Sequence, residues 1–194
     1  MSAPRLLVAT DRRQVAAGRT IEDVVRACAD VGVRWFWVRE HDLPVADRAA
    51  LVRRLVRVPG TTVVAGRTAL PGAVGVHLAA DAPVPAAVRW LGRSCHDVRQ
   101  VRAAVTAGAD YLTISPVAVS ASKPGYGPSL GPAGVERAVR VADGVPVLAL
   151  GGVDDRNAAR FVAAGAHGVA VMGCVMRSAD PAGAAERLLA AVGP

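Results

Sequence analysis

VPVLALGGVDDRNAARFVAAGAHGVAVMGCV, residues 145–175, carries the clearest alternation in the chain. The run 145–150 is apolar throughout, as expected of a strand covered on both faces in a parallel sheet. Gly151-Gly152 ends it, and a helical pattern follows over 155–164. The phrase AGAH at 164–167 then places a glycine just past the helix, a stop signal, before a second strand over 168–172 that closes on Gly173. A variant of the phrase, AGAD at 107–110, ends an earlier helix over 97–107 and leads into a strand at Tyr111. Strand, helix and strand with short links form the unit from which α/β folds are built.

The same alternation extends in both directions. Strands are predicted at 5–10, 35–39, 61–65, 75–78, 93–95 and 111–116, besides the two above. Helices are predicted at 21–30, 45–57, 85–90, 97–107, 132–141, 155–164 and 181–192, with the third barrel helix weak or missing after Arg67. Eight strands alternating with helices predict a compact single-domain (β/α)8 TIM barrel spanning residues 1–194. The alternative, an open doubly wound sheet, lacks its best support. LVATDRRQ follows the first strand where a dinucleotide fold would carry GxGxxG.

Composition narrows the function classes. Hydrophobic residues make up 52% and charged residues 20%, which predicts a folded chain. No apolar run is long enough to span a membrane. The first ten residues read as a strand and lack the layout of a signal peptide. Cys28, Cys95 and Cys174 form an odd, scattered set with no CxxC pair, which points to a reducing cytoplasm and away from a cysteine metal site. The net charge of +7 is spread over predicted helices, and with two Tyr and two Phe there is little from which to build a stacking platform. Nucleic acid is therefore not expected as a partner, whereas a phosphorylated or carboxylated ligand is. Of the 23 basic residues, only Lys123 is a lysine.

In a barrel the functional residues sit at the C-terminal ends of the strands. Gly151, Gly152 and Gly173 would let backbone amides approach a phosphate there, or serve as tight turns. The segment 117–131 follows the sixth strand, and its Ser120, Ser122 and Lys123 could close over the same anion. Arg39 and Arg67 end the second and third strands, where a guanidinium fork suits an oxyanion; a rim salt bridge to Glu40 or Asp42 is the plainer alternative. His77 and His96 stand near the ends of the fourth and fifth strands; His41 and His167 carry less weight. Asp81 is an isolated acid, so no metal site is expected. Strand alternation sends Trp35 and Trp37 to one face and Phe36 to the other, so Trp37 either lines the pocket or packs in the core.

Eight short motifs come in a familiar order: WVRE at 37–40, GR at 66–67, GVHL at 75–78, GRSCH at 92–96, AGADYL at 107–112, SASK at 120–123, LGG at 150–152 and GVAVMGCV at 168–175. Together, over nearly the whole chain, they resemble the thiamine phosphate synthase and thiazole tautomerase superfamily. The resemblance implies a barrel of the thiamine phosphate synthase type with a thiazole phosphate at its mouth. Gly152, Gly173, Ser120 and Ser122 would lie on the phosphate side, and Arg39 and Arg67 match pocket arginines.

The two branches differ in chemistry. The synthase joins a pyrimidine pyrophosphate to the thiazole phosphate with Mg2+. Its pattern has a lysine after RE, an Asn-Asp before the arginine of strand three and an Asp after HL. Here those places hold His41, Ala65-Gly66, and Asp81 or Ala82. The tautomerase moves a proton without metal or redox cofactor, and carries a histidine where this chain has Pro116 in SPV. Proline transfers no proton, which leaves His77 or His96 as the candidate acid/base. The expectation placed first is metal-independent, cofactor-free isomerisation of a thiazole phosphate in the cytoplasm. A divergent, Mg2+-dependent synthase and a non-catalytic phosphate-binding or regulatory barrel are the alternatives. Homo-oligomer formation is left open.

Overall fold

The computed structural model describes residues 2–119 and 128–193. Its strands are β1 (Leu6–Ala9), β2 (Trp35–Val38), β3 (Thr62–Gly66), β4 (Gly75–Leu78), β5 (Leu91–Cys95), β6 (Tyr111–Ile114), β7 (Val147–Leu150) and β8 (Gly168–Val171). Each pairs in parallel with its sequence neighbours, and β8 pairs back onto β1 to close the barrel. All eight expected strands are present, and the largest shift at a strand end is two residues. Around them lie α1 (Ile21–Asp30), α2 (Val45–Leu55), α3 (Val98–Thr106), α4 (Gly131–Val141), α5 (Ala158–Ala163), the short α6 (Gly173–Met176) and α7 (Pro181–Val192).

Alternation along the strands makes two cores. Outward residues such as Phe36, Val38, Leu112 and Val169 pack beneath the helices. Inward residues Leu7, Trp35, Trp37, Val64, Tyr111, Leu148 and Ala170, joined by Trp90, fill the barrel itself. The bulky rings fit because small residues face them. A Cβ on Gly92 would lie 2.5 Å from His77 Nδ1 and run into the Tyr111 ring, so glycine is what admits both rings to one layer.

The helices start where the sequence supplies caps. Thr20 and Asp23 form a reciprocal capping box on α1, Asp97 accepts from the Gln100 amide on α3, and Asp180 caps α7 ahead of Pro181. The helix expected over 85–90 is absent, a correction to the sequence reading. Pro83 and Pro85 bias their predecessors away from helical geometry. Meanwhile Arg93 Nη1 donates to the carbonyls of Ala79 at 2.7 Å, Ala80 at 3.3 Å and Ala82 at 2.6 Å. One buried guanidinium thus anchors the stretch just before 85–90 in a non-helical course. No helix joins β3 to β4 either, as anticipated after Arg67.

Candidate functional site

The C-terminal ends of the strands surround a cavity of about 700 Å³. Gly151, Gly152 and Gly173 line one side of it, together with Arg177. Gly151 and Gly152 have φ of 91° and 72°, a turn glycine tolerates readily. A Cβ on Gly152 would collide with the carbonyls of Ala118 and Val119, so this turn packs directly on the backbone after β6. Asn157 fixes it from beneath: its Nδ2 donates to Gly152 O at 2.8 Å and its Oδ1 accepts from the Asp154 amide at 3.0 Å. That side-chain turn is why α5 begins at Ala158, three residues later than expected.

Sequence reading missed both Asn157 and Arg177. Arg177 stands one helical turn beyond Gly173, and its guanidinium lies against that glycine and bonds Gln14. The i, i+4 spacing from Gly173 was the available signal. Ser120, Ser122 and Lys123 lie outside the described residues.

The cavity wall also holds Trp37, Arg39, His41, Arg67, His77, Ser94 and His96. Trp37 thus lines the pocket as well as packing within the barrel. Arg39 is half-buried; its Nη1 contacts Met172 Sδ at 3.0 Å and its guanidinium carbon stands 5.4 Å from the Trp37 ring centroid. Burial pulls its pKa down, and the nearby Arg67 adds to this. Arg67 is exposed, in the left-handed region at φ 64°, with its amide bonded to His77 O at 3.0 Å. The rim salt bridge weighed for these two arginines does not form: Glu40 and Asp42 pair instead with Arg12, and Asp42 also with Arg13.

The two candidate histidines sit in unlike surroundings. His77 is fully buried, with Nδ1 2.9 Å from Tyr111 Oη and Nε2 2.9 Å from Ser94 Oγ. Burial, aided by the charges of Arg39, His41 and Arg93, pulls its pKa down to about 3, so the ring is neutral near pH 7. His96 is exposed at the rim, and its Nδ1 lies 2.8 Å from the Ser115 carbonyl. A carbonyl only accepts, so Nδ1 carries the hydrogen of this bond, and in the neutral ring the lone pair is then on Nε2. Ser115 precedes Pro116 through a cis peptide bond.

Fold and cavity define a small (β/α)8 barrel with its candidate site at the C-terminal mouth, lined by glycine turns and cationic side chains. A family model described as thiamine monophosphate synthase (TMP-TENI) matches residues 6–175, and the chain belongs to that family. It is 39% identical over 208 residues to a thiamine-phosphate synthase of Salinispora tropica, covering 98% of each chain. It is 40% identical over 189 residues to the thiamine biosynthesis bifunctional protein ThiM/ThiE of Symbiobacterium thermophilum; the match takes in 90% of this chain and spans 39% of that longer protein. The solved thiamine phosphate pyrophosphorylase of Pyrococcus furiosus superimposes with a TM-score of 0.84 at 25% identity, over 97% of this chain and 95% of that one.

The synthase branch implies Mg2+, an ion that binds through oxygen ligands and above all carboxylates. Among the described residues the cavity wall offers one carboxylate, Asp154, whose Oδ1 already accepts from the Arg156 amide at 3.0 Å. Asp81 is exposed and off the wall. No group of three His, Cys, Asp or Glu among the described residues is placed to hold a metal. The donor set does not fit the ion.

Proposed function

We propose that this protein binds a thiazole phosphate at the mouth of its barrel and works as a thiamine phosphate synthase, joining a pyrimidine pyrophosphate to it. The names of its relatives support this reaction over the isomerisation that sequence reasoning placed first. One observation carries the binding site: the Gly151-Gly152 turn, Gly173 and Arg177 meet on one side of a single cavity. Backbone amides at such turns, with a guanidinium beside them, suit a phosphate dianion. Ser120, Ser122 and Lys123 belong to the same proposal on the strength of the sequence alone. The cavity is large enough for two small ring substrates side by side.

A second reading, proton transfer on the thiazole without a metal, rests on His96. Its Ser115 contact leaves Nε2 as a proton acceptor at the rim of the same cavity. His77 has both ring nitrogens engaged and is held neutral, which suits it to orienting Ser94 more than to exchanging protons.

The deciding experiment supplies thiazole phosphate and the aminopyrimidine pyrophosphate, with Mg2+ and separately with a chelator, and follows thiamine phosphate. Product formation supports the synthase. Isomerisation of a thiazole tautomer, reduced at least about a hundredfold in His96→Gln, supports the second reading instead. Binding of thiazole phosphate with neither reaction marks a binding protein, and the absence of binding overturns the proposal.

A further inference from the structure

Beneath the mouth, a chain of hydrogen bonds crosses from the barrel interior to the cavity. His77 on β4, Gly92 on β5 and Tyr111 on β6 are register partners, so they share one layer of the barrel. Ser94 and Thr113, two residues further along β5 and β6, face the same way in the next layer. Because Gly92 has no side chain, the Tyr111 ring reaches across β5 and sets its Oη 2.9 Å from His77 Nδ1. On the other edge of the imidazole, Nε2 lies 2.9 Å from Ser94 Oγ. His77 and Ser94 line the cavity wall, whereas Tyr111 is fully buried and lies off it.

The direction of these bonds follows from counting hydrogens. A neutral imidazole carries one N–H, and burial holds His77 neutral near pH 7. Among the described residues Tyr111 Oη has no hydrogen-bond partner besides His77 Nδ1. With the hydrogen on Nδ1, the phenol O–H would be a buried donor without an acceptor, an arrangement that folded chains avoid. The phenol therefore donates, Nδ1 accepts, and the ring hydrogen is on Nε2, pointing to Ser94 Oγ. Thr113 Oγ1, 3.5 Å from Nε2, is at the limit of hydrogen bonding and does not outweigh the Tyr111 contact at 2.9 Å. With its oxygen accepting from Nε2–H, Ser94 is left to turn its own hydrogen towards the cavity. All three groups then donate in one direction, and each bond polarises the next.

We propose that Tyr111, although it lies off the cavity, is a positioning residue: it fixes His77 in the Nε2–H tautomer and so makes Ser94 a hydrogen donor towards the cavity. That stretch of wall then selects for an acceptor atom on the ligand, a ring-nitrogen lone pair or an oxygen, and against an N–H or O–H. The kinetic consequence rests on the synthase reading; the tautomer does not.

The test is heteronuclear NMR of the histidine ring nitrogens in the intact protein, with the His77 signals assigned from His77→Gln, alongside synthase kinetics. Expected in the parent is a protonated Nε2 and a bare Nδ1 near pH 7. Tyr111→Phe keeps the ring and removes the donor, and should lose that single tautomer. Ser94→Ala should retain it, since the tautomer is set from the Tyr111 side. In turnover of thiazole phosphate and the aminopyrimidine pyrophosphate, each variant should lower kcat/KM about fivefold or more. The double variant should be no worse than Ser94→Ala alone, whereas a purely structural Tyr111 would give additive losses. A parent with its hydrogen on Nδ1, a tautomer unmoved by Tyr111→Phe, or additive losses overturns the inference. Should Tyr111→Phe fail to fold in a thermal melt, the parent spectrum and Ser94→Ala decide, and a tautomer reversed in Ser94→Ala is the overturning result. A parent without synthase turnover removes the synthase reading, while the spectra still decide the tautomer.

Discussion

His77 shows how one side chain links packing to solution behaviour. Its ring sits in the barrel interior, 4.0 Å from the Trp37 ring centroid, between Tyr111 Oη and Ser94 Oγ. Its pKa falls from 6.5 in the unfolded chain to about 3 in the folded one. Between those values the unfolded state binds a proton that the native state refuses, so stability falls as pH drops below 6.5 and is unaffected by this group above it. By pH 4.5 the loss from this one residue is roughly 2–3 kcal/mol. Thermal melts from pH 7.5 to 4.5 should show a Tm decline that is shallower in His77→Gln. Equal slopes in the two proteins would mean that His77 does not control the acid limb. Position at a strand end made His77 a visible candidate in the sequence. What no pattern revealed was that Gly92 and Tyr111, 15 and 34 residues on, enclose it.

At the level of elements, the strands were easy to read and one connection was not. Apolar runs such as 145–150 and the capping residues Thr20, Asp97 and Asp180 signal their elements locally. The segment over 85–90 has apolar content that suits a helix but forms none, and the stretch leading into it is held by Arg93, which lies beyond on β5 and engages carbonyls at 79, 80 and 82. Such a long-range clamp has no periodic signature. Arg93→Met keeps the aliphatic stem and removes the donors, so it should cost about 2–3 kcal/mol in urea unfolding and increase hydrogen exchange in the β4–β5 connection. A variant as stable as the parent would show that the clamp is dispensable. The candidate site divided the same way. The glycines and arginines at strand ends were readable because barrel geometry assigns them a place, whereas Asn157 and Arg177 act through contacts that only folding brings about.

For the molecule as a whole, the ring of eight parallel strands converts a linear list of strand ends into a single mouth, bringing Arg39 within the same cavity wall as Gly173, 134 positions later. Family membership agrees with that construction. The barrel filling has one more consequence. The protein contains three tryptophans, and all of them belong to the interior cluster: Trp35 and Trp90 are a pair with centroids 5.7 Å apart, and Trp37 is the one that lines the cavity. The molecule therefore carries its own optical reporter, with a background pair away from the mouth and a single emitter facing it. Anything that occupies the mouth should change the emission of the unlabelled protein, and Trp37→Phe should abolish that change while preserving the signal of the other two.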